Sequence, residues 1–363
     1  MAELVSQHTD AIGWHELLGR SLTIRHEPGA AELCEGLQGM LGNVAGLDGT
    51  VRLEFLKKAV YRLRLGTEPG RSFILKRHRP AIAHTDRLLQ SRWLPALGLL
   101  DCSPRLLAAA AQREGRWIWH VYDDLGGETL TRRPEPRCED AAIDLIVDLH
   151  TRAVGQPLLA EVRWYGRDHG AHFFTSSLRD GIALLETLAT YRADAPDQFA
   201  AVRMRLLERL YAFLDDAPRR VRILEDVGGR DTLLHGDLWP DNVFVALTSD
   251  GVCARLIDWD HISVGPFGFD VSTLLYRTPA EARPSIWRRY RERIERAGWR
   301  LADDAELNIL FHTSEVARSA SCIVWPALAL LNERAAWGVP MLLEIDRWFD
   351  VLRPPLPGEA ATP

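Results

Sequence analysis

The chain lacks any apolar run long enough to cross a membrane. Its longest candidates, residues 106–111 and 323–331, are too short or too interrupted by polar positions, so no membrane partner is expected. It also lacks a basic excess: 44 Lys and Arg stand against 50 Asp and Glu, a net charge of −6. With no positive surplus to displace counterions, a nucleic-acid partner is not expected. Cysteine is sparse and scattered. Cys34, Cys102, Cys138, Cys253 and Cys322 form no C-x-x-C pair and are odd in number, which suits thiols in a reducing compartment. The 12 histidines show no H-E-x-x-H or other dense ligand spacing, which argues against a zinc site of that kind. The N-terminus carries Glu3, Asp10 and Glu16 and shows no basic-then-apolar leader pattern. There is no internal repeat and no low-complexity block. A cytoplasmic enzyme is expected.

What is present is enough chain for two packed lobes: 363 residues, 47% apolar and 26% charged. The most informative stretch runs from Leu233 to Asp270. It reads LLHGDLWPDNVFV, then LIDWD, then GPFGFD. Asp237 and Asn242 lie five positions apart, the separation of base and metal-binding amide in loops of the form H-x-D-x-x-x-x-N. Asp258 follows an apolar run that reads as a strand. Phosphoryl transfer needs a carboxylate at the attacking hydroxyl, divalent cations at the phosphates and oxygen ligands for those cations. These residue types stand here in that order. Residues 243–245 and 256–257 read as two strands of a hairpin, with Thr248, Ser249, Asp250 and Gly251 as its turn.

Upstream, Trp14, Leu17 and Leu18 suggest one short amphipathic helix. From residue 51 to 78 the pattern is that of strands. Tyr61, Leu63 and Leu65 alternate with Arg62 and Arg64, residues 66–70 supply a turn, and Phe73-Ile74-Leu75-Lys76 reads as the returning strand. Residues 85–97 read as a helix and residues 116–122 (RWIWHVY) as another strand, with Trp117 and Trp119 as core or sheet-face residues. From Asp140 onward helices dominate: residues 141–150, 178–188, 202–214, 285–297, 306–331 and 339–351. In 285–297, Arg288, Glu292 and Arg296 at i,i+4 spacing read as a solvated face.

The Leu233–Asp270 stretch resembles the aminoglycoside phosphotransferase and choline kinase family, small-molecule kinases of the protein-kinase-like fold. His235, Asp237 and Asn242 match the family's H-G-D-x-x-x-x-N loop, Ile257-Asp258-Trp259-Asp260 its I-D-W-(D/E) segment, and Gly265, Pro266 and Asp270 the turn and aspartate that follow. The resemblance spans roughly residues 50–275. It implies an α+β, bilobal fold with a small β-rich N-lobe and a larger, mainly helical C-lobe. The expected division is an extension at 1–45, the N-lobe at 46–125, the C-lobe at 126–352 and a disordered tail at 353–363. The resemblance further implies Asp237 as catalytic base, Asn242 and Asp258 as Mg²⁺ ligands, His235 as a loop-shaping residue and Asp270 as a structural one. As a bare sequence position, Asp270 reads first as the N-cap of a helix starting at Val271. Lys76 is implied at the α/β-phosphates of ATP or GTP, against the alternative of a solvated edge-strand lysine. Tyr122 and Asp124 border the segment Asp123-Asp124-Leu125-Gly126-Gly127, which resembles the family's adenine-binding hinge. His150 reads as a structural histidine.

Three departures from the family pattern stand out. Residues 53–61, LEFLKKAVY, contain no glycine where kinases bring backbone close to phosphate, and Lys57 and Lys58 read mainly as solvated. The helix that usually supplies a glutamate to the strand lysine offers Asp86 and Gln90 instead. No A-P-E-like segment follows Asp258, which points to a small hydroxylated acceptor rather than a protein. Asp260, Glu315, Glu333, Glu344 and Asp346 are the acids available for a cationic one. The expected activity is transfer of the nucleotide γ-phosphate to a hydroxyl of an antibiotic or of a sugar or amino-alcohol metabolite. The alternatives are a catalytically weak pseudokinase with a regulatory role, and a metal-dependent phosphoesterase, for which the needed His-rich motifs are missing.

Overall fold

Period-two alternation builds the first sheet. In the computed structural model, which describes residue 24 and residues 26–42, 51–66, 70–191, 196–249 and 251–356, β1 (Val51–Lys57), β2 (Val60–Leu65), β3 (Arg71–His78), β4 (Leu106–Ala111) and β5 (Ile118–Asp123) form one antiparallel sheet in the order β1-β2-β3-β5-β4. Leu63 pairs with Phe73 and Tyr61 with Leu75, while Ile74 pairs with Tyr122 and Lys76 with His120. Adjacent strand residues face opposite sides. One face therefore carries Tyr61, Leu63, Phe73, Leu75, Trp119 and Val121 into a core with Leu33, Cys34 and Leu37 of helix α1 (Ala30–Leu41). Burying each such Leu or Phe side chain stabilises by about 1.5–3 kcal/mol. The other face is left to carry Arg62, Ile74, Lys76 and Tyr122.

The chain divides into two compact units, Met1–Arg133 with Phe244–Asp260, and Pro134–Val243 with His261–Pro363. The hairpin expected near residue 250 is present as β8 (Val243–Thr248) paired with β9 (Gly251–Leu256). It joins the first unit through a bridge between Thr129 and Phe244 and a bond from the Val245 N–H to the Glu128 carbonyl at 3.2 Å. Asp250 of the expected turn, the expected helix around Trp14, Leu17 and Leu18, and residues 67–69 and 357–363 lie outside the described residues. Ahead of those last positions, the Leu356 N–H donates to Asn308 Oδ1 at 3.0 Å.

Three sequence expectations are corrected. Residues 106–111, read only as an apolar run, are strand β4 at the sheet edge. The helix expected at 85–97 begins earlier, as α2 (Pro80–Leu88) with proline in its first turn, and opens into a π turn at Leu89–Trp93. Pro95 has no N–H to donate to the Ser91 carbonyl, and only a short α-helical stretch, Leu94–Ala96, follows the π turn. The single helix expected at 306–331 is two, Asp304–Cys322 and Val324–Glu333. Pro326 cannot bond the Cys322 carbonyl, and the ladder resets with the Ala327 N–H on the Ile323 carbonyl at 3.1 Å.

The second unit is mainly helical. Its helices are α3 (Pro136–Ala153), α4 (Leu158–Tyr165), α5 (Ala171–Thr187), α6 (Pro196–Asp215), α7 (Ala217–Asp226), α8 (Gly268–Tyr276), α9 (Arg283–Arg296), α10 (Asp304–Cys322), α11 (Val324–Glu333) and α12 (Gly338–Val351). A short sheet, β6 (Arg167–Asp168), β10 (Ser263–Gly265) and β7 (Thr232–Leu234), sits among them. On α9 the positions Arg288, Glu292 and Arg296 are exposed, as expected, but Arg289 and Arg293 reach Asp140 and Asp144 of α3.

Candidate active site

The loop after β7 is built around one buried carboxylate. Leu233 and Leu234 bury the strand and deliver His235, itself fully buried. Gly236 follows at φ 80°, and a Cβ there would collide with the His261 carbonyl oxygen, so glycine is required. Asp270 accepts the N–H of His235 at 2.7 Å and that of Gly236 at 2.8 Å. His150 Nε2 lies 3.3 Å from the same carboxylate, and His150 Nδ1 lies 2.9 Å from the Tyr290 hydroxyl. Burial alone would raise the Asp270 carboxyl; the His150 contact and the loop amides outweigh it and hold it below its ordinary value. The N-cap reading is thus corrected. Phe267 is the N-cap of α8, and Asp270 stands in its first turn, aimed at the loop.

Asp237 and Asn242 meet within this loop. Asn242 Nδ2 donates to the Asp237 carbonyl at 2.9 Å and lies 3.5 Å from Asp237 Oδ2. The Asp237 N–H donates to His235 Nδ1 at 3.3 Å, consistent with a loop held in shape by its own histidine. Arg318 of α10, not singled out in the sequence, places Nη1 3.2 Å from Asp237 Oδ1 and donates Nη2 to the Gly236 carbonyl at 3.3 Å. Its Nε lies 3.6 Å from Glu315, which also pairs with Arg277. The Arg277 guanidinium lies 5.0 Å from the ring centroid of Trp239, two residues beyond Asp237.

The remaining predicted residues gather in the first unit. Lys76 Nζ lies 2.5 Å from Asp258 Oδ1 and 2.8 Å from Asp260 Oδ1. Lys57 Nζ lies 2.8 Å from Asp258 Oδ2. Burial works against charge on Lys76, yet Asp258 and Asp260 hold its ammonium above its ordinary value. Burial likewise opposes charge on Asp258, and Lys76 and Lys57 reverse it, keeping that carboxyl well below the usual range. Asp258 adopts φ 67°, a left-handed conformation that aspartate tolerates better than most residues but that still stores strain. A cavity is lined by Leu56, Lys57, Val60, Arg62, Ile74, Lys76, Asp86, Ser103, Tyr122, Asp124 and Asp258. It thus collects the sequence-predicted Lys76, Tyr122, Asp124 and Asp258 on one wall system.

Three sets of partners shape this cavity. Neither Asp86 nor Gln90 pairs with Lys76. Asp86 accepts the Tyr122 hydroxyl at 2.7 Å and lies 3.0 Å from His120 Nδ1, while Gln90 donates to Ser103 Oγ at 2.8 Å. Lys57 is not merely solvated, as its bond to Asp258 shows. Asp124 uses its carboxylate internally, accepting Arg62 Nε at 2.7 Å, Ser72 Oγ at 2.6 Å and the Gly126 N–H at 3.0 Å. Beside them His78 is buried, and burial together with the Lys76 charge pushes its pKa down to about 3, so it is neutral near pH 7.

With the geometry in hand, the chain can be placed. The sequence profile of the phosphotransferase enzyme family matches residues 59–304, more than half of the chain. The chain belongs to that family. Within it, the protein is a small-molecule kinase of α+β, kinase-like fold. No curated protein sequence matches it. Solved structures share the fold at low identity. The ethanolamine kinase of Plasmodium vivax is 12% identical, with 82% of this chain and 81% of that one covered and a TM-score of 0.55. The macrolide 2'-phosphotransferase of Brachybacterium faecium is 17% identical, with 86% and 96% covered and a TM-score of 0.54. The AMP-bound complex of spectinomycin phosphotransferase is 13% identical, with 87% and 97% covered and a TM-score of 0.53. Among the described residues no helix is long and apolar enough to cross a membrane.

Proposed function

We propose that this protein transfers the γ-phosphoryl group of ATP or GTP to a hydroxyl of a small molecule. The observation that carries the reading is the first-unit cavity, whose wall brings Lys76, Tyr122, Asp124 and Asp258 together. Lys76 is the cation for the α/β-phosphates, and Tyr122 and Asp124 border the base. That the similar spectinomycin phosphotransferase binds AMP supports a nucleotide as ligand. Asp237 is the base. The acceptor oxygen bonds to the γ-phosphorus, the bond from that phosphorus to the bridging oxygen breaks, and the diphosphate leaves with the electron pair. The hydroxyl proton passes to the Asp237 carboxylate. His235 and Asp270 hold the loop that presents it.

Asn242 and Asp258 are the residues that would hold Mg²⁺. The donor set fits, because carboxylate and amide oxygens are the ligands a hard divalent cation takes, and Mg²⁺ commonly uses only one or two from the protein. Asp258, which carries two lysine ammoniums here, is a carboxylate already set to hold positive charge. When bound, the metal would offset the negative charge of the phosphates.

The acceptor is a small hydroxylated molecule, and the structure gives a cationic one little support. Of the five acids available, Asp260 pairs with Lys76, Glu315 with Arg277, Glu344 with Arg347 and Asp346 with Arg205 and Arg209, while Glu333 is exposed and has no ion pair among the described residues. Of the two departures that favour a weak, regulatory pseudokinase, the glycine-free loop and the missing helix glutamate, the second loses force, since Lys76 has carboxylate partners without a glutamate on α2. The test is phosphate transfer from γ-labelled ATP and GTP to a panel of antibiotics, sugars and amino alcohols beside generic protein substrates. Label on proteins with none on any small molecule would overturn the acceptor class.

A further inference from the structure

Residues 53–61 pose a physical problem. A glycine-rich loop covers phosphates with backbone N–H groups, and this segment has no glycine with which to bring its backbone that close. Its shape is unusual in another way. The register of β1 against β2 runs Phe55 to Tyr61 and then Lys57 to Val60, a bulge at Leu56. On a regular strand Leu56 and Lys57 would face opposite sides. With the bulge, both line the cavity. The turn that follows is held by Ala59 at φ 61°, whose carbonyl accepts the Arg77 N–H at 2.9 Å. The strand end is therefore shaped to aim Lys57 inward, where it meets Asp258 Oδ2 at 2.8 Å.

The two lysines on Asp258 are not equivalent. Lys76 is 16% exposed and held by both Asp258 and Asp260. Lys57 is 63% exposed and held by Asp258 alone, and an ion pair that exposed is weak. Lys57 is the one free to exchange partners when a polyanion enters the cavity. We propose that Lys57 is a nucleotide ligand for the β- and γ-phosphates, supplying by side-chain charge what glycine-loop amides supply elsewhere. It rests at Asp258 until a nucleotide with those phosphates arrives. The proposal deepens the nucleotide reading above and rests on it.

The test compares ATP and AMP binding by calorimetry, with Mg²⁺ present, in the wild type, Lys57→Met, Lys57→Arg and Lys58→Met. Lys58 is an exposed neighbour of the same charge outside the cavity lining. Lys57→Met is expected to weaken ATP about tenfold, the effect of losing one charge-assisted bond, and to leave AMP unchanged. Lys57→Arg and Lys58→Met should bind ATP nearly as the wild type does, and all variants should melt within a few degrees of it. Three results overturn the proposal: unchanged ATP affinity in Lys57→Met, an equal loss for ATP and AMP, or an equal loss in Lys58→Met. A wild type that binds neither nucleotide overturns the nucleotide reading itself, and Lys57's role with it.

Discussion

Arg318 Nη1 lies 3.2 Å from Asp237 Oδ1, although 81 residues separate the two in sequence. The same guanidinium donates to the Gly236 carbonyl and lies 3.6 Å from Glu315. Burial would depress the guanidinium, but Glu315 and Asp237 hold it above its ordinary value. Arg318 holds the Asp237 carboxylate in position. Arg318→Met is expected to lower kcat by about tenfold or more while leaving the nucleotide KM unchanged, and Arg318→Lys to restore part of the loss. Steady-state kinetics alongside melting curves check this. Equal losses in both variants that follow their loss of stability would make Arg318 structural only.

Asp237→Asn keeps the shape of the side chain and removes the proton acceptor. It is expected to lower kcat by at least about 10²-fold, the low end for loss of a general base, with little change in ATP affinity. Near-normal turnover would remove Asp237 from the base role.

Lys76→Ala and Asp258→Ala separate two roles in one ion pair. The first should weaken ATP binding with or without metal. The second should abolish the gain in ATP affinity that Mg²⁺ confers, with the fold intact by circular dichroism. Unchanged Mg-ATP affinity in folded Asp258→Ala protein would defeat the metal assignment, and a marked fall in melting temperature with normal nucleotide affinity would return Lys76 to a structural role.

Asp270 carries a pH signature. Its carboxyl is held below its ordinary value in the folded chain. A depressed carboxylate contributes stability that is complete above the unfolded pKa, about 3.9, and is lost as pH falls through the lower native value. Asp270→Asn removes the charge and one of the two oxygens that accept the His235 and Gly236 amides, and is expected to cost about 2–3 kcal/mol near neutral pH. That gap should narrow in urea titrations below about pH 4. A gap that stays constant across that range would mean the charge of Asp270 does not support the loop.

How far the site was legible follows from sequence separation. His235, Gly236, Asp237 and Asn242 lie in one short loop, so their spacing and the family resemblance identified them, and Lys76 was legible as the end of the strand read at Phe73-Ile74-Leu75-Lys76. Lys57 and Asp258 are 201 residues apart and Lys76 and Asp260 are 184 apart. No local pattern announces such pairs, and a lysine beside another lysine reads as solvated. Strand β4, largely alanine, has weak strand propensity and is fixed by pairing with β5 instead. Asp270 was visible as a position but not as a contact, because its carboxylate acts on amides 34 and 35 residues back. The break at Pro326 was open to reading, since a proline inside a helical pattern removes a ladder bond.

The most direct measurement is transfer of γ-labelled phosphate from ATP to the small-molecule panel by the wild type and by Asp237→Asn, with ATP affinity measured on both. The account predicts a labelled small molecule with the wild type, little or none with the variant, and equal ATP affinity. Equal labelling by the two proteins would contradict it.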